Sequence, residues 1–249
     1  MAQRMRLWFT EQVARNLKFP ERGLFGWLSY TFFVKYNSYM ELNAVRLSNI
    51  KPDHNVLEIG FGPGVGLEAA YNIVKNGKGK VFGVDYSLFM METARKRAKK
   101  GVNENKIMLY HANVSQIPLN TDSVQRVFHT NSYYYWPNLR LAVREIYRVM
   151  QPGAIMVTTL NMNSLKTVQN LGFLKYGHPD PVKYMRCLEN YGFENVRMEY
   201  HKDQLTGRQF QTIFCEVIEK PAHGKSMDID DDEDDGVDTE PPLVHNVKD

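Results

Sequence analysis

The sequence predicts an α/β fold: a seven-stranded, mostly parallel sheet with helices on both faces and a helical lid at the amino end. Three observations carry that expectation. Short apolar runs alternate with amphipathic stretches from residue 51 to about residue 220, which is the pattern of strand–helix units. One run, Val56-Leu57-Glu58-Ile59, passes directly into a turn with glycine at every second position, Gly60, Gly62 and Gly64. The following run ends on an acid, Asp85, 21 residues after Gly64.

Residues 1–50 read as helices that form an extension or lid. Phe25, Leu28, Phe32, Tyr36 and Tyr39 recur at three- and four-residue spacing and make one apolar face. Pro20 and Gly23 separate this helix from the one before it. Within the main domain, residues 51–221, strands are expected at 55–60, 80–85, 106–110, 126–131, 154–160, 195–200 and 210–218. Helices are expected at 67–74, 88–100, 139–150 and 181–191. The third is stopped by Pro152 and Gly153 and the fourth by Gly192. Residues 222–249 form an acidic, aromatic-poor segment with Pro241 and Pro242, expected to be a disordered tail.

Composition bounds the function. The chain has 249 residues, 43% hydrophobic and 24% charged, ordinary values for one globular domain with extensions. Cys187 and Cys215 form no paired motif, so neither a metal site nor a redox site is expected. The net charge of +3 hides an asymmetry. From Ala222 onward ten acids face only Lys225 and Lys248, leaving 29 basic against 18 acidic side chains, or +11, in residues 1–221. A basic body attracts anionic partners, although charge runs are most often solvated faces. No segment approaches the roughly 20 apolar residues that span a bilayer; peripheral membrane contact stays open. The amino end has no secretory signal pattern. A cytoplasmic protein is expected, with a mitochondrial presequence, hinted at by Arg4, Arg6, Arg15 and Lys18, as the minor alternative.

A buried strand running into a glycine turn that opens a helix offers close backbone approach and free N–H groups to a polar ligand. The dinucleotide spacing G-x-G-x-x-G is absent in every frame of this turn. An acid at the end of the next strand suits the two hydroxyls of a ribose.

Glu58-x-Gly60-x-Gly62-x-Gly64 followed by Val84-Asp85-Tyr86-Ser87 resembles the class I S-adenosylmethionine-dependent methyltransferases. The nearest resemblance is to the small-molecule group with a type 11 domain, which includes ubiquinone- and menaquinone-biosynthesis enzymes. Three later segments agree in order: His111 to Leu119, Asn131 to Ala154, and Tyr191-Gly192-Phe193. The resemblance covers about residues 50–220 and implies a Rossmann-like sheet with S-adenosyl-L-methionine as cofactor. It also implies roles. Gly60, Gly62 and Gly64 wrap the methionine portion. Glu58 supports the turn or, through water, the cofactor's amino group. Asp85 binds the ribose, and Tyr86 and Met90 enclose the adenine. Asn113 and the N–H of Val114 read the adenine edge, with Asn113 standing where the family more often has Asp.

A sulfonium methyl is already activated, so the protein must chiefly orient the acceptor and exclude water. No dedicated catalytic motif is present, and Asn131-Ser132-Tyr133-Tyr134 is not the amine-methylating Asn-Pro-Pro-aromatic motif. Asn131, Tyr133, Tyr134, Tyr135 and Trp136 follow the fourth strand, where ligand crevices open in such folds. Asn131 is also a cofactor candidate, and Tyr133, Asn131 and the loop residue His178 are the catalytic candidates. His129 reads better as a hydrogen-bonded core histidine. The expected function is methyl transfer to a small, apolar or lipid-like acceptor, without DNA as partner. The rival readings are an RNA or protein methyltransferase, favoured by the +11 body, and a non-catalytic scaffold that binds the cofactor. The acceptor atom, the catalytic base and the oligomeric state stay open.

Overall fold

The computed structural model describes residues 2–220; the acidic segment 222–249 lies outside the described residues. The strands are β1 (Val56–Ile59), β2 (Val81–Asp85), β3 (Ile107–His111), β4 (Val124–Thr130), β5 (Met150–Leu160), β6 (Glu194–Lys202) and β7 (Gln209–Val217). They make a seven-stranded sheet in the order β3-β2-β1-β4-β5-β7-β6. All neighbours are parallel except β7, which runs antiparallel to both β5 and β6. Strand order reverses between β1 and β4, and the crevice at such a switch point is where ligands bind in open α/β sheets. Every residue of β1 is buried, which is why it reads as a continuous apolar run broken only by Glu58.

The helices are α1 (Ala2–Lys18), α2 (Leu24–Tyr36), α3 (Ser38–Leu47), α4 (Val65–Val74), α5 (Leu88–Arg97), α6 (Lys99–Asn103), α7 (Leu139–Val149), α8 (Met162–Asn170) and α9 (Pro181–Asn190). They cover both faces of the sheet. On one, Ala44 and Val45 of α3 and Leu67, Ala70 and Val74 of α4 pack on Val56, Val81, Phe128 and Val157. On the other, Ala142, Val143 and Ile146 of α7 and Tyr184 and Leu188 of α9 pack on Leu57, Val127, Met156 and Ile213. Among the described residues no helix is long and apolar enough to cross a membrane.

Four elements depart from the sequence reading. The aromatic face expected to run through Tyr39 is cut at Asn37, between α2 and α3. Tyr39 lies on α3 and turns inward, its ring 6.0 Å from that of Phe210. Because α3 joins the core, the lid-like portion of residues 1–50 is α1 with α2. The helix expected over 88–100 bends at Ala98, which leaves helical geometry at ψ 19°, and continues as α6. Pro152 and Gly153 do not precede the fifth strand but lie inside it: the pairing with β4 jumps from Val124↔Met150 to Arg126↔Ile155, a bulge that takes the proline out of the ladder. Helix α8 was not anticipated; Asn161 caps it by accepting from Ser164 N–H at 2.9 Å.

Candidate cofactor and acceptor site

The turn after β1 is built from backbone that only glycine adopts easily. Gly60, Gly62 and Gly64 have φ of 65°, 48° and 81°, and Gly64 is the amino cap of α4. Two residues later a second constraint applies: a Cβ on Gly66 would fall 2.3 Å from Oε1 of Glu58. Glu58 therefore sits behind the turn, under the start of α4, and is 2% exposed.

Asp85 links this turn to the next. Its Oδ2 accepts from Gly62 N–H at 2.9 Å and its Oδ1 from Ser87 N–H at 2.8 Å. Burial pushes its carboxyl up to about 6, against the lowering pull of those N–H groups and of His111. Glu41 of α3 completes a cluster that no sequence pattern had flagged. It is 6% exposed, accepts from Gly66 N–H at 3.2 Å, and is pushed up to about 7 by burial. Burial, then the charges of Glu41 and Asp85, hold Glu58 well above the usual carboxylate range, and its Oε2 has no hydrogen-bond partner.

A crevice of about 1720 Å³ opens over the carboxyl ends of the strands, and Gly60, Gly62, Glu41, Asp85, Asn113 and Asn131 are among its lining. Tyr86, Met90 and Val114 also line it. Tyr86 stacks on His111 with ring centres 5.8 Å apart, and Phe19, from the α1–α2 connection, packs on its ring at 5.4 Å. Ser87 Oγ donates to Pro20 O at 2.5 Å, fastening that connection over the second turn. Asn113 Oδ1 accepts from Ser115 N–H at 2.9 Å and keeps a second lone pair. Gly64 and Glu58 do not line the crevice; a Cβ on Gly64 would meet Ala94 Cβ at 2.9 Å, so that glycine serves helix packing.

The catalytic candidates separate. Asn131 lines the crevice at φ 50°, and its Nδ2 donates to Asn37 Oδ1 at 3.3 Å while its own Oδ1 is buried without a partner. Tyr133 is core, not crevice: its ring stacks on Tyr184 at 4.3 Å and burial raises its phenol. Tyr134, Tyr135 and Trp136 are the members of that run that reach the crevice. His178 is exposed, lines neither cavity described here, and is held through its backbone N–H to Tyr134 O at 3.0 Å. Its backbone is thus held beside a residue that lines the crevice, but His178 is not itself part of that lining. His129 is fully buried, its Nε2 2.8 Å from both Tyr184 Oη and Thr158 Oγ1 and its Nδ1 3.0 Å from Ser132 Oγ.

A second cavity of about 520 Å³ lies among α1, α2, α3 and α8. Phe25, Leu28, Phe32, Tyr36 and Tyr39, the face read from the sequence, all line it despite the break at Asn37, together with Val13 and Leu171. Leu17, Phe32, Asn37, Ser164 and Val168 border both cavities and form their common wall.

A mostly parallel sheet with a glycine turn and a strand-end acid at its switch point defines a Rossmann-like α/β domain. Residues 57–158 match the family described as Methyltransferase domain. The Bacillus subtilis (strain 168) methyltransferase YdaC, described as uncharacterized, is 30% identical over 107 residues, 43% of this chain and 55% of that protein. The 24-methylenesterol C-methyltransferase 2 of Arabidopsis thaliana is 27% identical over 115 residues, 46% of this chain and 31% of that protein. The match thus spans about half or less of these relatives' length. Geranyl diphosphate methyltransferase, solved with S-adenosylmethionine, has the same fold at a TM-score of 0.59 and 14% identity, covering 76% of this chain and 90% of its own. Over residues 57–158 the chain therefore matches a methyltransferase domain, and its fold is that of solved S-adenosylmethionine-dependent methyltransferases, which supports S-adenosyl-L-methionine as the cofactor of that domain.

Proposed function

We propose that this protein transfers a methyl group from S-adenosyl-L-methionine to a small, apolar, lipid-like acceptor. One observation carries the acceptor class: the cavity of about 520 Å³ among α1, α2, α3 and α8, lined mainly by aromatic and aliphatic side chains, that shares a wall with the cofactor crevice. Small-ligand sites are typically apolar clefts of a few hundred Å³ with a few placed polar groups. The sterol and geranyl diphosphate substrates in the names of similar proteins point the same way.

The residues divide the work. The Asp85 carboxylate accepts from the backbone N–H groups of Gly62, Ser87 and Tyr86, and its remaining acceptor capacity takes the ribose hydroxyls. Gly60 and Gly62 leave the backbone open to the methionine portion. Tyr86 and Met90 flank the adenine, and Asn113 and Val114 N–H meet its edge. Glu41 presents negative charge to the cationic end of the cofactor, while Glu58 braces the helix start behind it. The cofactor supplies an electrophilic methyl on a sulfonium, so the protein's task is to orient and dehydrate. Phe19 and Pro20 close over the Asp85–Ser87 turn, and Asn131 offers the unpartnered Oδ1 to a donor on the acceptor. Orientation of this kind supplies roughly 7–11 kcal/mol of barrier lowering.

The test is incubation with methyl-labelled S-adenosylmethionine and separately prepared lipid, polar-metabolite, RNA and protein fractions. Label is expected in the lipid fraction. Label in RNA or protein alone would replace the acceptor class, and tight cofactor binding without label in any fraction would support a scaffold.

A further inference from the structure

The amino-terminal half of α1 is exposed in a way the fold does not explain. Met5, Leu7, Trp8 and Phe9 are 67%, 64%, 56% and 44% exposed, and Leu24 and Trp27 at the start of α2 are 67% and 55% exposed. Met5, Trp8 and Phe9 share one face of α1 at i, i+3, i+4 spacing, and the rings of Trp8 and Phe9 each stand 5.6 Å from that of Phe25, which joins this face to the start of α2. Contiguous apolar surface of this kind marks a contact site. Its charge is one-sided. Arg4 and Arg6 are exposed among these side chains, and residues 3–10 contain no acid. The next acid, Glu11, is already engaged by Lys175 and Tyr176.

We propose that the exposed face of α1 and the start of α2 dock the protein on a lipid surface that carries anionic headgroups. The chemistry fits that occupant on three counts. Tryptophan is favoured at the boundary between hydrocarbon and water, where its ring is buried and its N–H stays wet. Arginine adds attraction to anionic headgroups, and an apolar face with a basic flank is the pattern of helices that lie in a membrane interface. The patch is also continuous with the acceptor cavity, since Phe25 touches Trp8 and Phe9 on one side and lines the cavity on the other. An apolar acceptor could therefore pass from the lipid to the cavity without crossing water. The proposal deepens the apolar-acceptor reading and rests on it for the purpose of docking, but the docking is measured without acceptor or cofactor and can fail by itself.

The experiment uses the full chain with phosphatidylcholine vesicles, with and without phosphatidylglycerol, followed by co-sedimentation and tryptophan emission. Two of the three tryptophans, Trp8 and Trp27, lie on the patch. Pelleting and a blue shift are expected with the anionic vesicles, weaker with phosphatidylcholine alone, and reduced by salt. Trp8→Ser with Trp27→Ser is expected to weaken vesicle binding about tenfold or more. Arg4→Gln with Arg6→Gln should remove most of the preference for anionic vesicles, roughly ten- to thirtyfold for the two charges. All four side chains are exposed, and circular dichroism of both variants should match the parent. Absence of pelleting and shift with either vesicle overturns the proposal. So does vesicle binding that neither variant alters. A vesicle-free dimer in sedimentation velocity, abolished by the tryptophan replacements, would assign the patch to a second copy of this chain.

Discussion

Glu41 of α3 accepts a hydrogen bond from Gly66 N–H, in the first turn of α4, at 3.2 Å. A carboxylate there sits at the positive end of a helix dipole, yet burial dominates and holds the group at about 7. Below about pH 7 the fold therefore favours the protonated acid, and a positively charged ligand would favour the ionised one.

The first expected outcome concerns that acid. Its value is raised on folding, so its contribution to stability is complete below the ordinary carboxylate range and declines as pH rises to about 7. Glu41→Gln should remove the decline and gain on the parent between about pH 5 and pH 8, in free energy of unfolding, by on the order of 3 kcal/mol, seen also as a rise in relative melting temperature. Parallel melting curves across that range would show that Glu41 does not titrate with folding. The same variant should bind S-adenosylmethionine more weakly at the higher pH, measured by calorimetry.

A second concerns Asp85. Asp85→Ala removes the acceptor of Gly62 and Ser87 N–H and the proposed ribose ligand. A charge-assisted hydrogen bond contributes roughly 1.5–3 kcal/mol, so the dissociation constant for S-adenosylmethionine should rise about tenfold or more, with a smaller effect on melting. An unchanged constant by calorimetry would remove Asp85 from the cofactor site.

A third tests the apolar cavity. Ser29 is 4% exposed and lines it from α2. Ser29→Leu adds volume inside the cavity, at a packing cost of about 1–3 kcal/mol at most. Binding of an apolar fluorescent probe such as 1-anilinonaphthalene-8-sulfonate should fall severalfold, with cofactor affinity unchanged. Equal probe binding in both proteins would place the probe, and the acceptor reading, elsewhere.

A fourth concerns His129. Burial holds its imidazole down at about 3, so it is neutral in the fold. Its contribution is present above the ordinary histidine value and is lost as pH falls from about 6.5 toward 3. Urea unfolding should therefore show a loss of about 2 kcal/mol between about pH 6.5 and 5 that is absent in His129→Gln. The variant should also be less stable at neutral pH, because Tyr184, Thr158 and Ser132 lose their shared partner.

How much of this was legible in the sequence varied with the range of the interaction. The sheet and its glycine turn were, because buried parallel strands and positive-φ turns impose local residue choices, as at residues 56–64. Asp85 was, because its distance from the turn is fixed by one helix and one strand. Glu41 was not: its importance comes from α3 packing against α4, and nothing around it marks an acid destined for burial. Tyr133 and Tyr134 are adjacent, chemically identical and both buried in the core, yet of the two only Tyr134 also lines the crevice, a difference set by the 3-10 turn at Tyr133–Tyr135. His178 lies outside the lining of both cavities, and its place is set by a tertiary contact, its backbone bond to Tyr134, that the sequence does not display. Helix α8 lacked a strong apolar stripe, and only the cap at Asn161 announced it.

The antiparallel course of β7 has a practical consequence. Gln209 lies at the edge of the sheet that carries the crevice, and Val217 pairs with Ala154 at the opposite edge. Tyr147 Oη then donates to Glu219 O, keeping the departing chain at that far side. A sensor chip, resin or fluorescent protein joined after residue 220 would thus hold the molecule by its base, with both cavities facing the bulk solution. Attachment ahead of α1 would instead crowd the side on which Trp8 and Trp27 stand.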